Sequence, residues 1–293
     1  MVFDLLDNPK TAHLVRQILV SAHDYELRDD YRSRLFCGGD EEQTPPHDVL
    51  VQLVHPDIFP DCTDTISPQG IVAIVDIPDA SSLLHETSDT NEKRQESLVE
   101  TSKKAPMYLI LDGVSDPGNL GTLLRTSLAV GVAGVMLLPG CCDPWNPKAV
   151  RSAMGASFQI PILESKSWEE SLENLRRSGG VERVYAATMI KEEDDDNNDS
   201  VPCASLPYFN VDWTLGPSAL VIGSEGNGLS PIVRRDLVAR KARPRSGDED
   251  NDSDDVVLAA THIPMMAGIE SLNAAVCGSV ILFEYARQCL SSP

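Results

Sequence analysis

From about residue 106 onward, apolar segments of strand length alternate with amphipathic segments of helix length. The first pair is MYLILDGV at 107–114, followed by a helical pattern over 120–130 whose leucines recur every three or four residues. Further strands are predicted at 134–140, 159–163, 184–188, 218–224 and 260–264, and further helices at 146–157, 167–179, 230–237 and 271–290. This alternation predicts an α/β fold with a mostly parallel sheet and crossover helices.

The first part of the chain has a different organisation. A helical pattern is predicted over 8–35 and strands over 48–54 and 70–78, which together suggest a small α/β domain. Residues 80–105 are polar and lack apolar periodicity, so they are predicted to be a linker. We therefore expect three parts, with a small domain at 1–79, a linker at 80–105 and a larger domain at 106–293.

The formal net charge of −21 argues against a nucleic-acid-binding surface over the whole chain, but the charge is unevenly distributed. The segment EEDDDNND at 192–199 and the segment DEDNDSDD, within 244–257, carry six acidic residues each, and both are predicted to be solvated insertions. A basic run lies between them. It is either a solvated helix face or a patch that contacts RNA phosphates, through Arg234, Arg235, Arg240 and Lys241.

Neither a membrane span nor a secretory leader is predicted. No run of about 18 apolar residues occurs, and the first ten residues lack a basic and then apolar leader. The seven cysteines form no C-x-x-C pair, so we expect idle thiols in a reducing compartment and no metal site. The expectation is a soluble intracellular protein, in the cytoplasm or, in a eukaryote, a mitochondrion or chloroplast.

Three strand-to-helix segments contain more glycine, asparagine and proline than packing requires. The first motif is DPGNLGTLLRTSLAVGV at 116–132, the second is VIGSEGNGLS at 221–230, and the third is IPMMAGIESLN at 263–273, whose helix is predicted to be capped near Ser271. Because ligands bind at the carboxyl ends of parallel strands, the three turns should converge at one edge. None is a dinucleotide fingerprint, a P-loop or a nucleophile elbow.

Taken together, the three motifs resemble the SPOUT superfamily, and within it the SpoU (TrmH) family of RNA ribose 2′-O-methyltransferases. The resemblance covers about 106–290. It implies a C-terminal deep trefoil knot, S-adenosylmethionine as cofactor, and a homodimer formed through the knotted domain. It also implies an RNA substrate, rRNA first and tRNA second. Residues 1–79 loosely resemble the RNA-binding domain attached to many family members.

The resemblance also implies roles for individual residues. Catalytic positions match Asn119, Arg125, Glu225, Ser271 and Asn273, and cofactor-binding positions match Leu138, Pro139, Gly223, Ile263, Met265 and Leu272. A guanidinium stays protonated, so Arg125 is expected to contact phosphate or stabilise the developing alkoxide. For Glu225, a chemical role and a structural role within its turn both stay open.

Two functions from different classes are compatible with these residues. The first is an S-adenosylmethionine-dependent RNA ribose 2′-O-methyltransferase. The alternative is a catalytically silent RNA-binding or ribosome-assembly protein with the same fold, against which the intact polar positions of the motifs argue. A nucleotide-dependent dehydrogenase ranks last, because the glycine fingerprint and its acidic ribose partner are missing.

Overall fold

The computed structural model describes residues 1–35, 49–65, 67–80, 105–188, 205–241, 256–266 and 271–291. These residues form two compact units, Met1–Pro78 and Asp79–Pro293. Most of the predicted linker lies outside the described residues. The acidic segment 192–199 also lies outside them, as does all of 244–257 except its last two residues.

The first unit contains a three-stranded sheet of order β2-β1-β3. Its strands are β1 (Val15–Ser21), β2 (Leu50–Val54) and β3 (Ile71–Val75), and its helices are α1 (Val2–Asp7), α2 (Ala22–Leu27) and α3 (Asp29–Leu35). Strand β1 pairs with β2 in parallel and with β3 in antiparallel orientation.

The helical pattern predicted over 8–35 is wrong at β1, which is the central strand of this sheet. Val15, Ile18 and Val20 are buried, and this spacing fits a strand and a helix almost equally well over so short a segment. Pairing with a neighbour on each side satisfies the backbone groups of the strand, and β-branched side chains suit that position. Long-range pairing therefore overrides the local pattern.

The second unit is built on a seven-stranded sheet of order β6-β5-β4-β9-β7-β10-β8, in which each described pairing is parallel. Its strands are β4 (Met107–Asp112), β5 (Gly134–Leu137), β6 (Ile162–Glu164), β7 (Arg183–Ala187), β8 (Leu206–Pro207), β9 (Ser218–Gly223) and β10 (Val257–His262). The predicted α/β class with a mostly parallel sheet is confirmed. The two-residue strand β8 was not predicted, because it carries no periodic signal.

Helices cover both faces of this sheet. They are α4 (Pro117–Val130), α5 (Pro147–Ala153), α6 (Trp168–Gly179), α7 (Pro231–Lys241) and α8 (Ala274–Ser291). One apolar core joins the sheet to α4, α5 and α8, and a second joins it to α6 and α7. Within the described ranges no helix is long and apolar enough to cross a membrane.

Helix α4 begins directly after the first parallel strand because its amino end is well capped. The Asp116 side chain accepts a hydrogen bond from the Asn119 backbone N–H at 2.9 Å, and Pro117 occupies the first helical position. Gly131 ends the helix in the left-handed region, at a φ of 74°. This start places Asn119 in the first turn, at the carboxyl edge of the sheet.

Helix α8 is capped by Asn273, so the cap predicted near Ser271 is wrong by two residues. The Asn273 Oδ1 atom accepts hydrogen bonds from the backbone N–H groups of Ala275 and Val276, at 3.0 and 3.1 Å. Serine and asparagine are comparably good caps, and Asn273 is the one that reaches the free N–H groups. Its side chain thus points into the first turn of the helix.

We expect Gly121→Ala to destabilise the second unit, because α4 and α5 pack closely there. A methyl group at this position would lie 2.4 Å from the Ala149 carbonyl oxygen and 2.5 Å from the Ser152 Cβ atom. Overpacking of this kind lowers the free energy of unfolding by about 1–3 kcal/mol, which chemical denaturation would measure. In the control Gly226→Ala, the added methyl meets nothing within 4 Å. Equal stability of the two variants would contradict the close approach.

Candidate functional site

The three motifs meet through their polar side chains at the edge of the sheet. The Oε1 atom of Glu225 accepts hydrogen bonds from the side-chain amides of Asn119, at 2.7 Å, and of Asn273. It also lies 3.4 Å from the Ala274 backbone N–H, which donates to it. The Asn273 amide donates in addition to the Asn119 Oδ1 atom at 3.0 Å. We call Asn119, Glu225 and Asn273 the polar cluster.

Each member of the polar cluster is fixed by a second interaction. Asn273 uses its oxygen to cap α8 and its amide nitrogen to donate to the other two members. Glu225 lies at the amino end of α8, where the helix dipole favours a negative charge. The backbone of Asn119 is held by the cap of α4. The cluster is therefore oriented before any ligand arrives.

The second motif forms a tight loop after β9. Ser224 and Gly228 exchange two backbone hydrogen bonds, both of 2.9 Å, and Gly228 has a φ of 64°. The Arg234 guanidinium donates to the carbonyl oxygens of Leu229, at 2.8 Å, and Asn227, at 3.3 Å. A Cβ atom at Gly223 would lie 2.3 Å from the Gly228 carbonyl carbon, so the loop folds back onto a position that only glycine can occupy.

A cavity of about 810 Å³ lies beside the polar cluster. Part of its wall is bare backbone, because Gly113 and Gly140 face each other there at φ values of 72° and 92°. The size falls within the range of small-molecule and cofactor sites. The lining comes from the turn after β4, the turn after β5 and the loop of the second motif, and includes Asp112, Gly113, Asp116, Asn119, Pro139, Gly140, Ser224, Glu225, Gly228 and Arg234.

Asp112 was missed by the sequence reasoning, which placed it inside an apolar strand. It is the last residue of β4, it is only 3% exposed, and it lines the cavity. Its Oδ2 atom accepts a hydrogen bond of 2.6 Å from the Ser230 backbone N–H. Burial raises the pKa of this carboxyl group, and outweighs the opposing effects of Ser230 and of the Arg234 charge. The sequence did contain a signal for this residue, because Asp112 is the one acidic residue in the apolar strand pattern and stands at its end.

The structure places one of the six predicted cofactor residues in the wall of the cavity. In the part of the chain that the structure describes, Pro139 is the one that lines it. Leu138 is buried beside it and donates its N–H to the Leu111 carbonyl at 2.9 Å, whereas Gly223 supports the second-motif loop. The other three, Ile263, Met265 and Leu272, are half-buried within the third motif.

Two predicted catalytic residues lie apart from the polar cluster. Arg125 is exposed on α4, six residues beyond Asn119, so its side chain leaves the helix on a different side. Ser271 is exposed two residues before Asn273. The structure therefore brings together three of the five predicted catalytic residues, and their roles remain predictions.

The predicted phosphate-binding run lies on α7. Arg234 is half-buried and its guanidinium holds the second-motif loop, which adds a structural role to the predicted one. Arg235 is exposed, and its Nε atom donates to the Pro231 carbonyl at 3.3 Å. The side chains of Arg240 and Lys241, in the last turn, lie outside the described residues. Among described side chains, no group of three or more His, Cys, Asp or Glu residues is arranged to hold a metal ion.

Residues 106–242 match the SpoU rRNA Methylase family. Curated relatives extend this match beyond the family region. The chain is 30% identical over 267 residues to rRNA methyltransferase 3, mitochondrial, of Mus musculus, with 82% of this chain and 57% of the relative covered. It is 30% identical over 199 residues to the 23S rRNA (guanosine-2'-O-)-methyltransferase RlmB of Pseudomonas aeruginosa, with 67% and 65% covered. The chain thus spans little more than half the length of the mitochondrial relative.

Solved structures have the same fold. The SpoU methyltransferase AviRb from Streptomyces viridochromogenes, in complex with AdoMet, superposes with a TM-score of 0.63 at 23% identity, covering 95% of this chain and 84% of that one. An rRNA methyltransferase from Sinorhizobium meliloti superposes with a TM-score of 0.62 at 25% identity, covering 98% and 83%. Together with the motif order, the sequence matches place residues 106–242 of this chain in the SpoU family of RNA methyltransferases, and the solved structures show that the fold is the same.

Proposed function

We propose that this chain is an S-adenosylmethionine-dependent RNA ribose 2′-O-methyltransferase that acts on rRNA, with tRNA as the second candidate. The observation that carries the proposal is the polar cluster, in which all three motifs meet beside a cavity of cofactor size. The names of the relatives support rRNA as the substrate, and one is named a guanosine 2′-O-methyltransferase. AviRb, a structural neighbour, is described in complex with AdoMet.

The cavity has the features that S-adenosylmethionine requires. Walls of bare backbone at Gly113 and Gly140 allow close approach of a nucleoside. Six residues are proposed to bind the cofactor, namely Leu138, Pro139, Gly223, Ile263, Met265 and Leu272. When bound, the cofactor supplies a methyl group on a cationic sulfur.

The residues of the chain would orient the ribose and make its 2′-hydroxyl a better nucleophile. A ribose hydroxyl is a weak acid, so positioned donors and charges near the oxygen lower the barrier. The polar cluster is already oriented and can hold the sugar. The exposed Arg125 suits a contact with an RNA phosphate or with the developing alkoxide, and Ser271 offers a hydroxyl donor and acceptor.

We also propose a homodimer in which a second copy covers α8. Val276, Phe283 and Leu290 are spaced by seven residues and therefore lie on one face of this helix. They are 49%, 57% and 79% exposed. The opposite side of α8 packs on the core, and the Ser279 hydroxyl lies 3.0 Å from that of Thr126 on α4. Apolar side chains in such a row are typical of protein interfaces.

Three further assignments complete the proposal. The third motif and α8 form a trefoil knot, which is supported by the position of the late strand β10 between β7 and β8, and by the packing of Gly278 against Leu123 and Ile222. Residues 1–79 form an RNA-binding domain, and residues 80–105 link it to the methyltransferase domain at 106–293. The mitochondrial names of several relatives favour the mitochondrion as the compartment.

The full chain should transfer a labelled methyl group from S-adenosylmethionine to ribose in RNA. We expect Arg125→Ala to keep cofactor binding and lower turnover by about 100-fold or more, the loss typical of a removed charge-stabilising donor. Arg177→Ala is the control, because Arg177 is exposed on α6 and pairs with Glu173. RNA binding without label incorporation would favour the catalytically silent alternative, and wild-type turnover in Arg125→Ala would refute its role.

Glu225→Ala should lower turnover about tenfold or more, because three N–H groups then lose their shared acceptor. Glu225→Gln keeps an oxygen at that position, and we expect it to retain most of the activity. Steady-state kinetics of the two variants would measure the difference. If both variants were equally impaired, the negative charge itself would be required. The interpretation of Glu225 as a shared hydrogen-bond acceptor that holds the motifs together would then be wrong.

Phe283→Glu should convert a dimer into a monomer, because it places a charge in the middle of the apolar row on α8. Light scattering coupled to size-exclusion chromatography would give the mass in solution. Ile232→Glu is the matched control, since Ile232 is 39% exposed on α7, which packs on the opposite face of the sheet from α8. A monomeric wild-type chain, or a dimeric Phe283→Glu variant, would refute this interface.

A further inference from the structure

Acidic side chains outnumber basic side chains in the lining of the cavity. In the described chain they are the acidic Asp112, Asp116 and Glu225 and the basic Arg234. The Arg234 guanidinium donates to backbone carbonyls of the second-motif loop and keeps its charge, so three acidic side chains face one basic side chain. The cavity therefore suits a ligand that carries a positive charge.

Two of the three acids already have compensating partners. Asp116 is exposed, caps α4, and lies 3.3 Å from the Lys148 ammonium group. Glu225 is also exposed and accepts the hydrogen bonds of the polar cluster. Solvent and these partners reduce the field that either acid exerts in the cavity.

Asp112 differs from both of them. It is almost fully buried, the hydrogen bond described for it comes from the Ser230 backbone N–H, and the Arg234 charge acts on it without a described hydrogen bond. Its register partner in the sheet is Gly223, so it lies at the carboxyl ends of β4 and β9, on the wall of the cavity. A buried carboxylate with so few donors gains most from a cation placed nearby.

We propose that Asp112 is the counter-charge by which the cavity distinguishes the cationic methyl donor from its neutral product. This inference rests on the proposed function. In the transfer, a carbon–oxygen bond forms at the ribose 2′ oxygen as the sulfur–carbon bond breaks, and the electron pair of that bond stays on sulfur. The hydroxyl proton leaves to solvent. Sulfur thereby loses its positive charge, so the attraction of Asp112 ends with the reaction and the thioether product is released.

The test compares three ligands that differ at the sulfur position. They are S-adenosylmethionine, S-adenosylhomocysteine, and sinefungin, in which a protonated amine replaces the methylated sulfur. Calorimetric titration of the full chain would give each affinity. We expect Asp112→Asn to weaken both cationic ligands by about tenfold or more, as for loss of one close charge pair, and S-adenosylhomocysteine by less than about threefold.

The variant retains the structural role of the side chain. An asparagine oxygen can still accept the hydrogen bond from Ser230 N–H, so the loop should keep its place. The control is Asp236→Asn, which makes the same change in net charge. Asp236 is half-buried and accepts a hydrogen bond of 2.8 Å from the Trp168 indole, outside the cavity. We expect its ligand preference to equal that of the wild type.

The possible results distinguish failure of the Asp112 proposal from failure of the proposed function. Equal weakening of all three ligands would mean that Asp112 only holds the loop or contacts a group they share, and would overturn the proposal. Unchanged affinities would overturn it as well. Failure of the wild-type chain to bind S-adenosylmethionine would instead contradict the proposed function. If Asp112→Asn failed to fold, as judged by its thermal unfolding, Asp112→Ser would provide the same comparison.

Discussion

The shared acceptor at Glu225 is the interaction on which the candidate site depends. One carboxylate oxygen accepts N–H groups from the first motif, the third motif and the start of the last helix. These segments are far apart in the chain, and the parallel sheet only brings their ends to the same edge. The carboxylate turns that proximity into a fixed arrangement, because each donor would otherwise have to find water or another acceptor.

Glycines shape the part of the site that lies beside the polar cluster, where the cavity is. Gly223 lets the second-motif loop fold back onto the end of β9, and the positive φ angles of Gly113 and Gly140 leave two stretches of bare backbone facing each other. Side chains at these positions would fill the space that a ligand needs. The cavity is therefore set by the omission of side chains, and its chemical character by the few polar groups that remain.

The sequence could predict the parts that local patterns encode. Alternating elements in 106–293 predicted the parallel sheet, and the three motifs were expected to converge at one edge, where Asn119, Glu225 and Asn273 contact one another. Local patterns failed where long-range pairing decides, as at β1, whose burial comes from two neighbouring strands. They also missed Asp112, because its burial at the end of a strand is set by the fold, and they could not show that Arg125 lies on a different side of α4 from Asn119.

The side-chain amide of Asn273 links the stability of α8 to the assembly of the site, because its oxygen and its nitrogen make different hydrogen bonds. The oxygen of Asn273 caps the helix while its nitrogen binds Glu225 and Asn119. Fraying of the first turn would therefore release the amide and dismantle the polar cluster at the same moment. Order in the carboxyl-terminal helix and competence of the site thus become a single cooperative property, so that a chain with an unravelled last helix would also lack a working centre.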